Sequence, residues 1–165
     1  MHRILIPAAL ALATVVATVG IVFVVGMRTR SRWVLSAVRR LNRRFFNPYQ
    51  MRTAGTPGAY ASVIQHRGRT SGRNYETPVG AMPTADGFVI ALPYGTHADW
   101  LRNVVAHGSA TVVHEGATYD VDSPQVVPTA SVSDDLPSGE ERLLRRFNVD
   151  QCLRLRIVTR ASMPT

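Results

Sequence analysis

The sequence predicts an α+β fold, a small barrel of mostly antiparallel strands with short helices, set behind a basic N-terminal arm. Three observations predict it. Short β-rich runs recur between turn signals from residue 60 to residue 127. One helix-like stretch interrupts them, which does not suit a parallel doubly wound sheet. The charge divides sharply along the chain: residues 1–52 hold nine Arg and no acid, whereas residues 53–165 hold ten Arg and eleven acids, a net −1.

Residues 4–27 carry no charged side chain, and about 20 apolar residues cross the hydrocarbon core of a bilayer as a helix. Pro7 falls in the first turn, where its missing N–H costs little. Gly20 and Gly26 are tolerated in membrane helices. A cleaved signal peptide would have a shorter apolar region followed by a polar cleavage region. Here Arg28, Arg30 and Arg32 follow at once. The expectation is a retained single-pass transmembrane anchor at the cell membrane. Arginines crowd its C-terminal side against Arg3 alone before it, so the domain should face the cytoplasm.

Residues 28–54 read as a basic amphipathic helix and linker. Trp33, Val34, Ala37, Val38, Leu41 and Phe45 recur at helical spacing. Arg39, Arg40, Arg43 and Arg44 supply the polar face. It is either solvated or laid on anionic headgroups, where each basic residue contributes about 1 kcal/mol. Asn47-Pro48 is expected to end the helix.

Residues 55–165 form the barrel domain. Strands are expected at 60–65, 75–81, 87–92, 110–114 and 118–127, with a last strand at 152–158. A helix is expected over 97–106, with Gly108 as its C-cap. Residues 126–138 read as a loop, and a short acid-started helix begins at Ser138.

Composition removes several chemistries. All nineteen basic side chains are Arg, so neither a Schiff-base lysine nor a P-loop lysine is available. The single cysteine, Cys152, cannot form an intrachain disulfide, and its apolar neighbours suit a buried, inert thiol. The four domain histidines show no zinc spacing, so no metal is expected. A pI near 10.9 suggests nucleic acid, but the charge lies on the arm, which suits a membrane surface and not nucleic acid.

Residues 66–103 carry the candidate chemistry. Gly68 and Gly72 allow a tight, close-approaching loop. Arg67, Arg69 and Arg73 add positive charge, and Thr70 and Ser71 add hydroxyls. With the backbone N–H groups they form a nest suited to phosphate or carboxylate. The same composition also makes an ordinary solvated hairpin turn. Asp99 and Trp100 stand at the start of the next helix, where Trp100 either stacks on a planar ring or packs in the core. No G-x-S-x-G elbow and no general acid–base pair is present. An enzyme lacking proton-transfer groups commonly takes its chemistry from a cofactor.

These blocks together resemble the deazaflavin-dependent nitroreductase and quinone reductase family of actinobacteria. The likeness rests on G-R-T-S-G-R (68–73), Thr77-Pro78, the strand 88–92, H-A-D-W-L-R-N (97–103) and F-N-V-D-Q-C-L-R-L-R (147–156). It implies a split β-barrel, similar to flavin-binding pyridoxamine-phosphate-oxidase-like proteins. It also implies coenzyme F-420, an 8-hydroxy-5-deazaflavin with a phosphate and an oligoglutamate tail, ahead of FMN. Family binding segments fall on Arg67–Arg69, Arg73–Pro78, Ala91–Tyr94 and Ala98–Arg102; together with Thr70, Ser71 and Gly72 from the loop reading, the candidate cofactor-binding residues are Arg67, Gly68, Arg69, Thr70, Ser71, Gly72, Arg73, Thr77 and Pro78. They continue through Ala91, Tyr94, Ala98, Asp99, Trp100 and Arg102. The resemblance further implies hydride transfer to a quinone or nitroaromatic acceptor. The chain departs from the family pattern at Asn74-Tyr75 and at Leu101. An FMN-using split barrel and a non-catalytic membrane-tethered lipid- or ligand-binding module are the alternative readings.

Overall fold

The computed structural model describes residues 2–29 and 31–161, without the side chains of residues 2–13, 27, 43, 138, 160 and 161. The arm comprises α1 (His2–Arg28), α2 (Arg32–Leu41), a π-helical turn (Asn42–Phe46) and α3 (Asn47–Gln50). The domain follows as β1 (Ser62–Arg67), β2 (Asn74–Val79), β3 (Ala81–Pro83), β4 (Gly87–Ala91), α4 (Asp99–His107), β5 (Ser109–His114) and β6 (Ala117–Pro128). A 3-10 turn (Thr129–Asp135), α5 (Ser138–Arg146) and β7 (Gln151–Ala161) complete it.

All ladders are antiparallel, and the seven strands run in the order β2-β1-β5-β6-β7-β4-β3. The two edge strands, β2 and β3, are separated in the chain by Gly80 alone. Two virtual bonds reach at most about 7 Å, so the sheet must curl until its edges meet. No ladder joins those edges among the described residues. The result is a curled half-barrel with an unpaired seam between β2 and β3.

Side-chain alternation decides what each strand gives to the interior. On β1, Ile64 and His66 are buried while Gln65 and Arg67 are exposed. β4 is buried on both faces. Phe88 and Ile90 join the interior cluster with Leu101, Val104, Leu153 and Leu155. Val89 joins a second cluster with Val132, Leu144 and Cys152 under the 3-10 turn and α5. That is why residues 87–92 read as an unbroken apolar run. Gly87 is required by contact, since a Cβ there would lie 1.9 Å from the carbonyl oxygen of Leu155 on the paired strand. α4 ends as expected, with Gly108 at φ 72°.

Three expectations need correction. Residues 75–81 form two strands, because the chain changes edge at Gly80. The helix does not stop at Asn47-Pro48. Pro48 stands in the first turn of α3, where no N–H is needed, and the wider π turn before it relieves the clash of the ring with the preceding carbonyls. The expected loop at 126–138 is instead the end of β6 followed by the 3-10 turn.

The expected anchor is helical as α1, but much of it lies outside the residues whose side chains are described. Among the described residues no helix is long and apolar enough to cross a membrane.

The arm is docked on the domain. Arg28 donates to the carbonyl oxygen of Arg146 at 2.9 Å, Arg39 to that of Tyr94 at 3.3 Å, and Asn42 Nδ2 to the Tyr94 hydroxyl at 2.7 Å.

Candidate functional site

A cleft of about 980 Å³ opens at the seam. Its floor comes from Thr77, Pro78, Val79 and Gly80 on one edge and from Ile90, Ala91 and Leu92 on the strand beside the other. The loop Gly68, Arg69, Thr70 and Ser71 forms one wall, and Tyr94, His97, Ala98, Asp99, Trp100 and Asn103 form another. The arm closes a further side with Arg39, Arg40, Asn42, Phe46, Asn47 and Gln50.

The loop between β1 and β2 is shaped by close packing. Gly72 N–H donates to Gly68 O at 2.9 Å and Gly68 N–H to Arg73 O at 2.8 Å. A Cβ on Gly68 would lie 2.3 Å from Ser71 Oγ and 2.8 Å from Tyr75 Cε2, so any side chain there would displace both. The hydroxyls of Ser71 and Tyr75 are 3.1 Å apart, and the Tyr75 ring stacks on His66 at 5.8 Å. Among the described residues the N–H groups of Thr70 and Ser71 have no protein acceptor.

Beneath the loop runs a polar chain whose hydrogens can be assigned. Asn103 Oδ1 accepts from Arg69 Nη1 at 2.8 Å and from the Arg69 backbone N–H at 3.2 Å. Arginine offers only donors, so the amide oxygen must face it. Asn103 Nδ2 then faces His66 Nδ1 at 3.2 Å and donates to it. The imidazole proton therefore sits on Nε2, which donates to Thr77 Oγ1 at 3.2 Å. With its oxygen engaged as acceptor, the half-buried Thr77 hydroxyl keeps its own hydrogen to donate, and Thr77 lines the cleft. Burial lowers the pKa of His66, consistent with a neutral ring.

Arg69 also pairs with Asp99 at 3.1 Å, the two side chains being 27% and 73% exposed. In that open setting the pair contributes at most about 1 kcal/mol; its main effect is to orient the guanidinium.

Of the expected residues, Gly68, Arg69, Thr70, Ser71, Thr77 and Pro78 line the cleft, as do Ala91, Tyr94, Ala98, Asp99 and Trp100. Arg67, Gly72, Arg73 and Arg102 do not. Arg67 Nε turns back onto Gly72 O at 3.0 Å, and Arg73 and Arg102 are exposed elsewhere. Trp100 is half-buried and packs against the interior cluster while lining the cleft. Its two expected roles are thus compatible. Sequence reasoning missed His66, Asn103 and the arm residues. The apolar periodicity of residues 33–49 signals a covered face but does not say what covers it. Cys152 is fully buried, and burial raises its pKa, as suits an inert thiol.

No protein-family model matches the chain, and no curated protein matches it. Among solved structures it is similar to an F-420 reductase, with a TM-score of 0.43 and 11% identity over 67% of this chain and 94% of that one. A second solved chain is similar with a TM-score of 0.36 and 14% identity, over 66% of this chain and 76% of that one. The first is named for the coenzyme that the sequence resemblance implies. Likeness at this level carries no argument about the site, whose reading rests on its own residues.

Proposed function

We propose that the chain is an oxidoreductase that binds coenzyme F-420 in the seam cleft and serves a small apolar acceptor of the quinone or nitroaromatic kind. The observation that carries this reading is convergence. The loop 68–71, Thr77-Pro78, the segment 91–94 and the start of α4 are distant in sequence, yet all line one cleft.

The residues present fit such a group. The cleft is of cofactor size, its loop wall is a close-packed glycine turn, and the guanidinium groups of Arg39 and Arg40, suited to an anionic group, line it. Trp100 and Pro78 supply flat apolar surface for a ring system. Bound deazaflavin supplies the hydride. The chain supplies position and a partly water-free wall. The Thr77 hydroxyl, oriented by His66, offers one hydrogen bond to a carbonyl or ring nitrogen. Reduction of a quinone also takes one proton, which solvent would supply.

Association with an anionic membrane surface on the cytoplasmic side belongs to the same proposal. It is supported by the exposed apolar residues Val15, Val16, Val19, Ile21, Val22 and Phe23 on α1 and by Trp33, Phe45 and Tyr49 on the arm. The arm's arginines lie among them. Such a location would bring a membrane-dissolved acceptor to the cleft.

Titration of the full chain, in neutral detergent, with F-420 and with FMN tests the reading. A fluorescence change with F-420 at micromolar concentration, and a weaker response to FMN, is expected. Oxidation of reduced F-420 by a quinone should then depend on the protein. An F-420 signal that does not respond to the protein defeats the proposal.

A further inference from the structure

The cations that the sequence places in the glycine loop are occupied or turned away. Arg69 is held by Asn103 and Asp99. Arg67 is folded onto Gly72, and Arg73 does not line the cleft. The cleft's acids are Glu76, which accepts from Gln65 at 2.9 Å, and Asp99. The loop wall is therefore close to neutral.

The arm is different. It contains no acid anywhere in residues 1–52, and Arg39 and Arg40 both line the cleft. Arg39 is fixed by Tyr94 O at 3.3 Å and Ser36 Oγ at 3.2 Å, contacts that leave its charge unneutralised. Arg40 is exposed and makes no ion pair among the described residues. The clasp of Asn42 on the Tyr94 hydroxyl holds this stretch against the domain, next to the turn Pro93–Gly95.

We infer that Arg39 and Arg40 form the anion site of the cleft, taking the phosphate or carboxylate groups of a ligand whose planar part lies against the glycine loop and Trp100. Guanidinium groups bind such oxyanions bidentately, and a site shared between arm and domain holds ligand only when the arm is docked. The inference rests on the proposed deazaflavin reading for the ligand's identity, not for the anion chemistry.

Four probes test it on the full chain: F-420, its chromophore without phosphate or tail (8-hydroxy-5-deazariboflavin), inorganic pyrophosphate, and phosphatidylglycerol vesicles. The proteins are the parent, Arg39→Gln/Arg40→Gln, and Arg32→Gln/Arg44→Gln, which removes the same charge from the arm outside the cleft. Glutamine keeps helix propensity, and circular dichroism checks the fold. The cleft variant should bind F-420 about tenfold or more weakly yet bind the bare chromophore within about twofold of the parent. Pyrophosphate should raise the melting temperature of the parent and of the Arg32/Arg44 variant but not of the cleft variant. Equal F-420 binding by parent and cleft variant, or equal weakening of F-420 and bare chromophore, overturns the inference. So does loss of vesicle binding alone, which would make lipid headgroups the anion. A parent that binds neither deazaflavin but responds to pyrophosphate through Arg39 and Arg40 defeats the deazaflavin reading and leaves the anion site standing.

Discussion

The carboxamide of Asn103 holds the imidazole of His66 in one tautomer, Nδ2 donating to Nδ1 across 3.2 Å between two buried side chains. The constraint originates at Arg69, whose donors fix which end of the amide faces the ring. A protonated His66 would oppose an N–H to the amide N–H, so the contact adds to burial in keeping the ring neutral.

Asn103→Asp reverses that logic. A carboxylate between Arg69 and His66 stabilises the imidazolium, and the pKa of His66 should rise above the parent's. Nitrogen-15 NMR of the histidine ring reads this directly. The parent should show a bare Nδ1 and a protonated Nε2. A His66 that titrates alike in parent and variant contradicts the assignment.

Stability should depend on pH through the same ring. The ordinary pKa is 6.5, and burial lowers it in the folded state. The unfolded chain therefore binds the proton more readily. This contribution to stability is complete above pH 6.5 and is lost as pH falls through the lower folded value. Urea unfolding at pH 7.5 and 5.5 should show a larger loss for the parent than for His66→Gln. Identical losses would remove His66 from the acid response.

Gly87→Ala should destabilise by about 2 kcal/mol or more, because a Cβ would sit 1.9 Å from Leu155 O, on the backbone of a paired strand. A melting temperature within a degree of the parent would show that β4 and β7 can separate without cost. Gly139, with nothing within 4 Å of an added Cβ, is the comparison site.

Tyr94→Phe removes the hydroxyl that accepts from Asn42 at 2.7 Å. The loss should be about 0.5–1.5 kcal/mol and should fall on the arm's attachment. Amide hydrogen exchange over residues 32–50 should quicken while β4 and β7 keep their protection. Uniform change, or none, would mean that the arm is held by other contacts.

The strands were legible because β4 is an unbroken apolar run and β1 and β7 set apolar side chains among polar ones. The glycine loop and the start of α4 were legible through Gly68 and the D-W pair at 99–100. Other features depend on distance in space. The edge change at Gly80 leaves residues 75–81 looking like one strand. His66 is partnered by an asparagine 37 positions away, which no histidine spacing reveals. Arg67 and Arg73 carry the right charge for an anion loop, but strand alternation and the turn at Gly72 carry both away from the cleft.

The strand order has a consequence for when the cleft comes into being. The β3–β4 hairpin, which carries Ala91 and leads to Tyr94, joins the rest of the sheet through β7, apart from its covalent link at Gly80. β7 is the last strand among the described residues. During synthesis the glycine loop and α4 emerge first, but the opposite wall has no ladder to the β6 side of the sheet until the residues of β7 arrive. Ligand binding is therefore a report of completed assembly: a chain stopped before residue 151 would carry every residue that lines the cleft and still lack the ladder that sets its far wall in place.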